Sequence, residues 1–145
     1  MSPPAGRAGN KEHRIMKLDQ PVRKFDLEER LIGFAILIIH ISENLDDTKA
    51  GNYIGMQVMR SGTSPALHYG EAQSAESGKD FIHKMKLVLK ELRETMNALR
   101  IINRKPLTGM KVLVEGGIKE CNELISIFVK SIETAQRNNK NDREK

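Results

Sequence analysis

An all-α fold, an antiparallel up-down bundle of four helices, is what this chain predicts, on three observations. Apolar residues advance by alternating steps of four and three along separate stretches, which places one apolar side chain per turn on a single helix face. Turn residues, Gly and Pro among them, punctuate the chain between those stretches. No alternating apolar–polar run bounded by turn residues marks a strand. Composition agrees: aromatics are 4% of the chain, Trp is absent and there are seven Met. The core must then be filled by Leu, Ile, Val and Met, which suits helices.

Residues 1–24 hold Pro3, Pro4, Gly6, Gly9 and Pro21 with few apolar residues between them, and read as a flexible N-terminal segment. The bundle is expected over residues 25–136, and residues 137–145 read as a flexible basic C-terminal tail. Helix 1 starts near Asp26, where Asp26, Glu28 and Glu29 suit the positive end of a helix dipole, and ends near Leu45. Its core line is Leu27, Leu31, Phe34, Ile38, Ile41 and Leu45. A second apolar line, Ile32, Ile36 and Ile39, points about 120–180° away from the first. A helix in a monomer needs one apolar stripe. The second stripe therefore predicts burial against another subunit, with Ile32, Ile36 and Ile39 as the oligomer interface.

Residues 46–52 read as a turn, and helix 2 as running from about Tyr53 to Glu76. Its middle, Arg60-Ser61-Gly62-Thr63-Ser64-Pro65-Ala66, is unusual. Pro disfavours a helix interior by about 3 kcal/mol, so this is either two helices with a break or one helix bent at Pro65. Its small residues would let another helix approach closely, and its hydroxyls can bond back to backbone carbonyls. A second turn at residues 77–80 precedes helix 3, expected from about Asp80 to Asn103 with Phe81, Met85, Val88, Leu92, Met96 and Leu99 inward. Pro106 and Gly109 mark the last loop. Helix 4 is expected from about Met110 to Gln136, with Val114, Ile118, Cys121, Leu124, Ile125, Phe128 and Ile132 on its core face. Short loops between helices of this length give the up-down topology.

The net charge of +5 is unevenly spread. Residues 1–24 carry six Lys/Arg against two Asp/Glu and residues 135–145 carry four against two, so the stretch between them has a net charge of −1. A high isoelectric point is here a property of the ends, which can act as basic arms or as solvated termini. Within the bundle the signs separate. Residues 26–47 hold one Arg against six acids, while residues 79–105 hold eight bases against three acids. Such opposite signs favour placing these elements near each other, within or between subunits, although each exposed pair contributes only about 0–1 kcal/mol. The single cysteine excludes an internal disulfide and fits a reducing compartment. The longest apolar run, residues 31–39, is too short to span a membrane, and no signal-peptide pattern opens the chain. A cytoplasmic protein without membrane contact is the expectation.

Several stretches are distinctive together: Arg60-Ser61-Gly62-Thr63-Ser64, Gly70-Glu71-Ala72, Ser77 with Asp80-Phe81-Ile82-His83-Lys84-Met85, and Leu89-Lys90-Glu91-Leu92-Arg93-Glu94-Thr95. The chain resembles, over about residues 25–134, the small four-helix-bundle proteins encoded in intervening sequences of bacterial ribosomal RNA genes. Their relatives include the accessory variability determinant of diversity-generating retroelements. The resemblance implies that the Arg-Ser-Gly-Thr-Ser stretch lies inside one continuous helix 2. It also implies a ring-shaped homopentamer. The retroelement relative binds nucleic acid and a reverse transcriptase, whereas most other members have no established activity. Pro65 stands where the family has a small or β-branched residue, and His68 where it has Asn.

The sharpest charge pattern is Lys86, Lys90, Arg93, Arg100 and Arg104, with Asn97 filling the one gap in a four–three repeat. Five cations along about 27 Å of helix can track phosphates. The competing reading is a solvated face neutralised by Glu91 and Glu94 or by acidic helix 1. No motif for base-specific contacts accompanies the stripe. His40 with Glu43 and His68 with Glu71 lack the Glu-x-x-His pattern of a di-iron bundle, so no metal or cofactor is expected. Ser64 and His68 are one turn apart and can meet, but no orienting acid beyond Glu71 and no oxyanion arrangement accompanies them. Cys121 falls on an apolar face and reads as a buried, inert thiol. Gly116-Gly117 has no phosphate-loop companion residues. The expected function is thus a non-enzymatic, homo-oligomeric protein that binds nucleic acid, RNA favoured, through Lys86, Lys90, Arg93, Arg100 and Arg104 with help from Arg60. An accessory role to a reverse transcriptase fits the resemblance. The alternative is a structural adaptor for a protein partner. A weaker third reading is a small enzyme using Ser64, His68 and Glu71.

Overall fold

A computed structural model describes residues 24–144. Four helices account for most of it: α1 (Lys24–Glu43), α2 (Lys49–Gln73), α3 (Gly78–Arg104) and α4 (Lys111–Glu144). Each packs against its successor, α4 closes onto α1, and the backbones of the diagonal pairs, α1 with α3 and α2 with α4, do not approach within 8 Å, so these pairs meet only through core side chains. This is the four-helix bundle that the periodicity predicts. Among the described residues no helix is long and apolar enough to cross a membrane.

The core follows the predicted lines. Leu31, Phe34, Ile38 and Ile41 of α1 meet Val58 and Tyr69 of α2, Met85, Val88, Leu92, Leu99 and Ile102 of α3, and Val114, Cys121, Leu124, Phe128 and Ile132 of α4. Tyr69 and Phe128 stack edge to face with ring centroids 5.7 Å apart, the arrangement that ring quadrupoles favour. Leu45, Phe81, Met96, Ile118 and Ile125 are only partly buried at the margins of that core.

Hydroxyl caps set two helix starts. Thr48 Oγ1 accepts from the Gly51 N–H at 3.0 Å, and Ser77 Oγ accepts from the Asp80 N–H at 3.1 Å, each satisfying a donor that a helix N-terminus leaves open. The first cap explains why α2 begins at Lys49 and not near Tyr53: Gly51 and Asn52 form its opening turn. A side chain at Gly51 would strike the Asp46 carbonyl, so only glycine fits there. At the same end of the bundle the Asp46 N–H donates to the Leu107 carbonyl at 2.8 Å, and Thr108 Oγ1 donates to the Asn44 carbonyl at 2.7 Å. The α1–α2 and α3–α4 loops are thereby tied together over the buried Leu107.

α2 runs unbroken through Pro65. Thr63 and Ser64 donate their hydroxyl protons to the Met59 and Arg60 carbonyls at 2.8 and 2.7 Å, the back-bonding that small hydroxyl residues make inside helices. The small residues also do what their size permits. A Cβ on Gly62 would lie 2.5–2.8 Å from Ile38 Cγ2, Cγ1 and Cβ, so α1 and α2 approach closely at this point. On the face of α2 toward α3, Ser61 Oγ is 2.9 Å from Thr95 Oγ1, and both side chains are buried.

The end of the last helix differs from the sequence reading. α4 continues through Glu144, so the stretch from residue 137 expected as a tail is helical up to that point. No Gly or Pro interrupts residues 118–144, and each added residue extends an existing helix at the cost of one residue's freedom. The N-terminal segment expected over residues 1–24 lies outside the described residues except for Lys24.

Candidate nucleic-acid interface

The core face of α3 decides where its charges go. Met85, Val88, Leu92, Leu99 and Ile102 are buried, so residues in the complementary four–three register must face outward. Lys86, Lys90, Arg93, Asn97, Arg100 and Arg104 are all exposed there. They form one rail along the outer surface of α3, at the heptad-like spacing that keeps side chains on a common line. Two shallow grooves lie along it. One, of about 660 Å³, is lined by Asn97, Arg100, Ile101, Arg104 and Lys105. The other, of about 410 Å³, is lined by Lys86, Leu89, Lys90, Arg93, Glu94 and Asn97.

The acids that stood as candidates to neutralise this rail are engaged elsewhere. Arg60 of α2 reaches across to α3 and forks between two carboxylates: Nη1 to Glu91 Oε2 at 3.1 Å and Nη2 to Glu94 Oε2 at 2.7 Å. The hydrogen bond donated to Glu94, followed by the charge of Glu91, raises the Arg60 pKa above its ordinary value. The third acid of α3, Asp80, pairs with Lys84 one turn later at 3.3 Å. Acidic α1 is diagonal to α3, and no ion pair joins the two among the described residues. Hence none of Lys86, Lys90, Arg93, Arg100 and Arg104 has an ion-pair partner among the described residues. Arg60, grouped with them from the sequence, instead holds the two α3 carboxylates.

The lone arginine of α1 behaves in the same way. Arg30 donates from Nε and Nη2 to Glu120 at 2.7 and 2.8 Å and from Nη2 to Glu123 at 2.9 Å, bolting α1 to α4. Neither fork was legible from spacing, because each needs to know which helices are neighbours. The one available signal was that Glu91 with Glu94, and Glu120 with Glu123, put two acids one turn apart on one helix face.

On the other side of the bundle, Ile32 and Ile36 are 40% and 52% exposed, and Ile39 is half-buried. Neighbouring α2 adds Met56 at 75% and Leu67 at 69% exposure. The second stripe of α1 is therefore outside the protomer core, as its angular position predicts, and it lies on a hairpin with further outward apolar side chains.

The structure does not bring the Ser64 hydroxyl and His68 together. Ser64 directs its hydroxyl to the Arg60 carbonyl and not to His68. His68 Nδ1 is buried with no hydrogen-bond partner among the described residues. Cys121 is buried, its thiol 3.2 Å from the Leu92 carbonyl, and burial pushes its pKa up to about 12. A thiol so far from ionisation is a poor nucleophile.

No protein-family model and no curated protein matches the chain. A solved structure shares its fold: a protein of unknown function from the S23 ribosomal protein family of Bacteroides thetaiotaomicron, with a TM-score of 0.65. This chain is similar to that S23-family protein. The two are 27% identical, and the match covers 73% of this chain and 97% of the other. Nearly the whole of the S23-family protein thus corresponds to part of this chain, and what they have in common is a domain-sized architecture.

Proposed function

We propose that this chain is a non-enzymatic, homo-oligomeric bundle that binds nucleic acid, RNA favoured, through the outer surface of α3. The observation that carries the reading is the unpaired state of Lys86, Lys90, Arg93, Arg100 and Arg104 among the described residues, while all three acids of α3 are partnered by other side chains. Desolvating such cations against a neutral surface would be unfavourable. A polyanion satisfies them and releases its own condensed counterions. RNA is favoured over DNA by the resemblance to proteins of ribosomal RNA intervening sequences, and the S23 ribosomal protein family neighbour is consistent with that setting. An accessory role beside a reverse transcriptase follows from the same resemblance. The outward apolar side chains of α1 and α2 serve contacts with sister copies, and a ring-shaped pentamer is the assembly the resemblance implies.

Filter binding of RNA across a salt series tests this. Five phosphates neutralised per rail give a log–log slope of about −3.5 for a single strand and about −4.5 for a duplex. Reversing Lys86, Lys90 and Arg93 to Glu should lower affinity at least tenfold and flatten the slope. Affinity unchanged by that triple reversal refutes the proposal. Recovery of a protein partner from which nuclease treatment removes nothing would favour the adaptor instead.

A further inference from the structure

We infer that the partner of the α3 rail is a nucleic-acid double helix gripped by its phosphates, and not a single strand. This rests on the nucleic-acid reading above and deepens it. The repeat that defines the rail extends toward the N-terminus of α3 through His83 and Lys79, both exposed. From Lys79 to Arg104 the rail is then about 37 Å long, at 1.5 Å per residue. It is a preformed line of donors on a helix held by its core face.

A single strand bound without sequence preference is ordinarily held in two ways, by cations along its backbone and by aromatic side chains on which its bases stack. Among the described residues no Phe, Tyr or Trp stands on the rail. Among the described residues the exposed aromatic is Tyr53, which sits on α2 and not on the rail. Phe81 is half-buried on the core side of α3, and Phe34, Tyr69 and Phe128 are inside the bundle. A flexible strand laid on this surface would lose conformational freedom with no stacking to offset the loss. A duplex arrives already ordered, with its bases stacked on one another. It also carries one charge per about 1.7 Å of axis when both strands are counted, twice the linear density of one strand. The rail's length reaches the roughly 34–36 Å of one turn of B-form DNA and exceeds the shorter turn of an A-form RNA duplex, so phosphates of both strands come within its reach. Lys and Arg heads spaced along a line match the repeating phosphates of a backbone, contacts that position a duplex.

Fluorescence anisotropy on the full chain tests this with a labelled 20-base-pair RNA duplex and with one of its strands alone, chosen to lack self-structure. The duplex is expected to bind at least tenfold more tightly than the strand at the same salt. Lys79→Glu with His83→Glu should weaken duplex binding about fivefold, and Tyr53→Ala should leave both affinities unchanged. Circular dichroism of each variant checks that these exposed substitutions leave the helices intact. A strand that binds as tightly as the duplex, or loses affinity on Tyr53→Ala, overturns the duplex inference while the rail reading stands. Binding of both probes that ignores reversal of Lys86, Lys90 and Arg93 overturns the rail reading itself.

Discussion

Replacing Gly62 by alanine should destabilise the bundle, although the same change elsewhere in α2 should stabilise it. Alanine is preferred to glycine in a helix interior by about 1 kcal/mol. At Gly70 nothing lies within 4 Å of a built Cβ, so that preference acts alone and Gly70→Ala should gain about 0.5–1 kcal/mol. At Gly62 the new Cβ would lie 2.5 Å from Ile38 Cγ2 and 2.8 Å from Ile38 Cβ. Ordinary van der Waals contact begins roughly 1 Å farther out. The Ile38 side chain cannot swing clear, because its own Cβ is among the crowded atoms and β-branching leaves it few rotamers. The α1–α2 crossing must open, and overpacking of this kind costs about 1–3 kcal/mol. The helix preference is common to both sites, so the two substitutions, eight residues apart on one helix, should differ by the overpacking cost of about 1–3 kcal/mol, and in sign once that cost exceeds the preference. Urea denaturation followed by circular dichroism, at one fixed protein concentration, measures both, because assembly makes apparent stability concentration-dependent. A cycle with Ile38→Ala should show strong coupling to Gly62→Ala and none to Gly70→Ala. Equal effects at the two glycines would refute the close crossing of α1 and α2.

Three further outcomes are expected. Arg60→Ala leaves Glu91, with only 11% of its side chain exposed, beside no cation; the loss should be about 1–2 kcal/mol, with Glu91→Gln recovering part of it, and denaturation midpoints would report this. Cys121 holds its proton in the fold up to about pH 12, whereas its ordinary value is 9.0. Its folded-state pKa is raised, so its contribution is intact below pH 9 and declines as the pH rises from there toward 12. The drop between pH 8 and 10.5 should be smaller by about 2 kcal/mol in Cys121→Ala than in the parent, and urea titrations at the two pH values give the comparison. Ile32→Glu with Ile36→Glu places charge on the half-exposed second stripe of α1; light scattering should report loss of the assembly while the helical signal persists, and an unchanged mass would remove α1 from the interface.

Fold class, helix number and core faces were legible in the sequence because each depends on local periodicity. A four–three repeat assigns its own inward face whatever it packs against, and so Leu31, Phe34, Ile38, Val88, Leu92, Leu124 and Phe128 lie in the core. The exposure of Ile32 and Ile36 and the outward position of the α3 rail follow from the same geometry, one angle read against another. Helix ends were less legible. The start of α2 depended on one hydroxyl of Thr48 and on the contact of Gly51 with Asp46, and the end of α4 on the absence of any stop signal over its last turns.

Which charges are free was decided by tertiary structure alone. Glu91 and Glu94 stand on the same helix as the rail and could have neutralised it, as could the acids of α1. Bundle topology made α1 diagonal to α3 and α2 adjacent to it, so Arg60 reached the two glutamates first. The same adjacency set Gly62 against Ile38 and Ser61 against Thr95. Periodicity along one helix specifies the direction of a side chain. It carries no information about which other helix stands there, and an ion pair or a close crossing is a property of two elements at once.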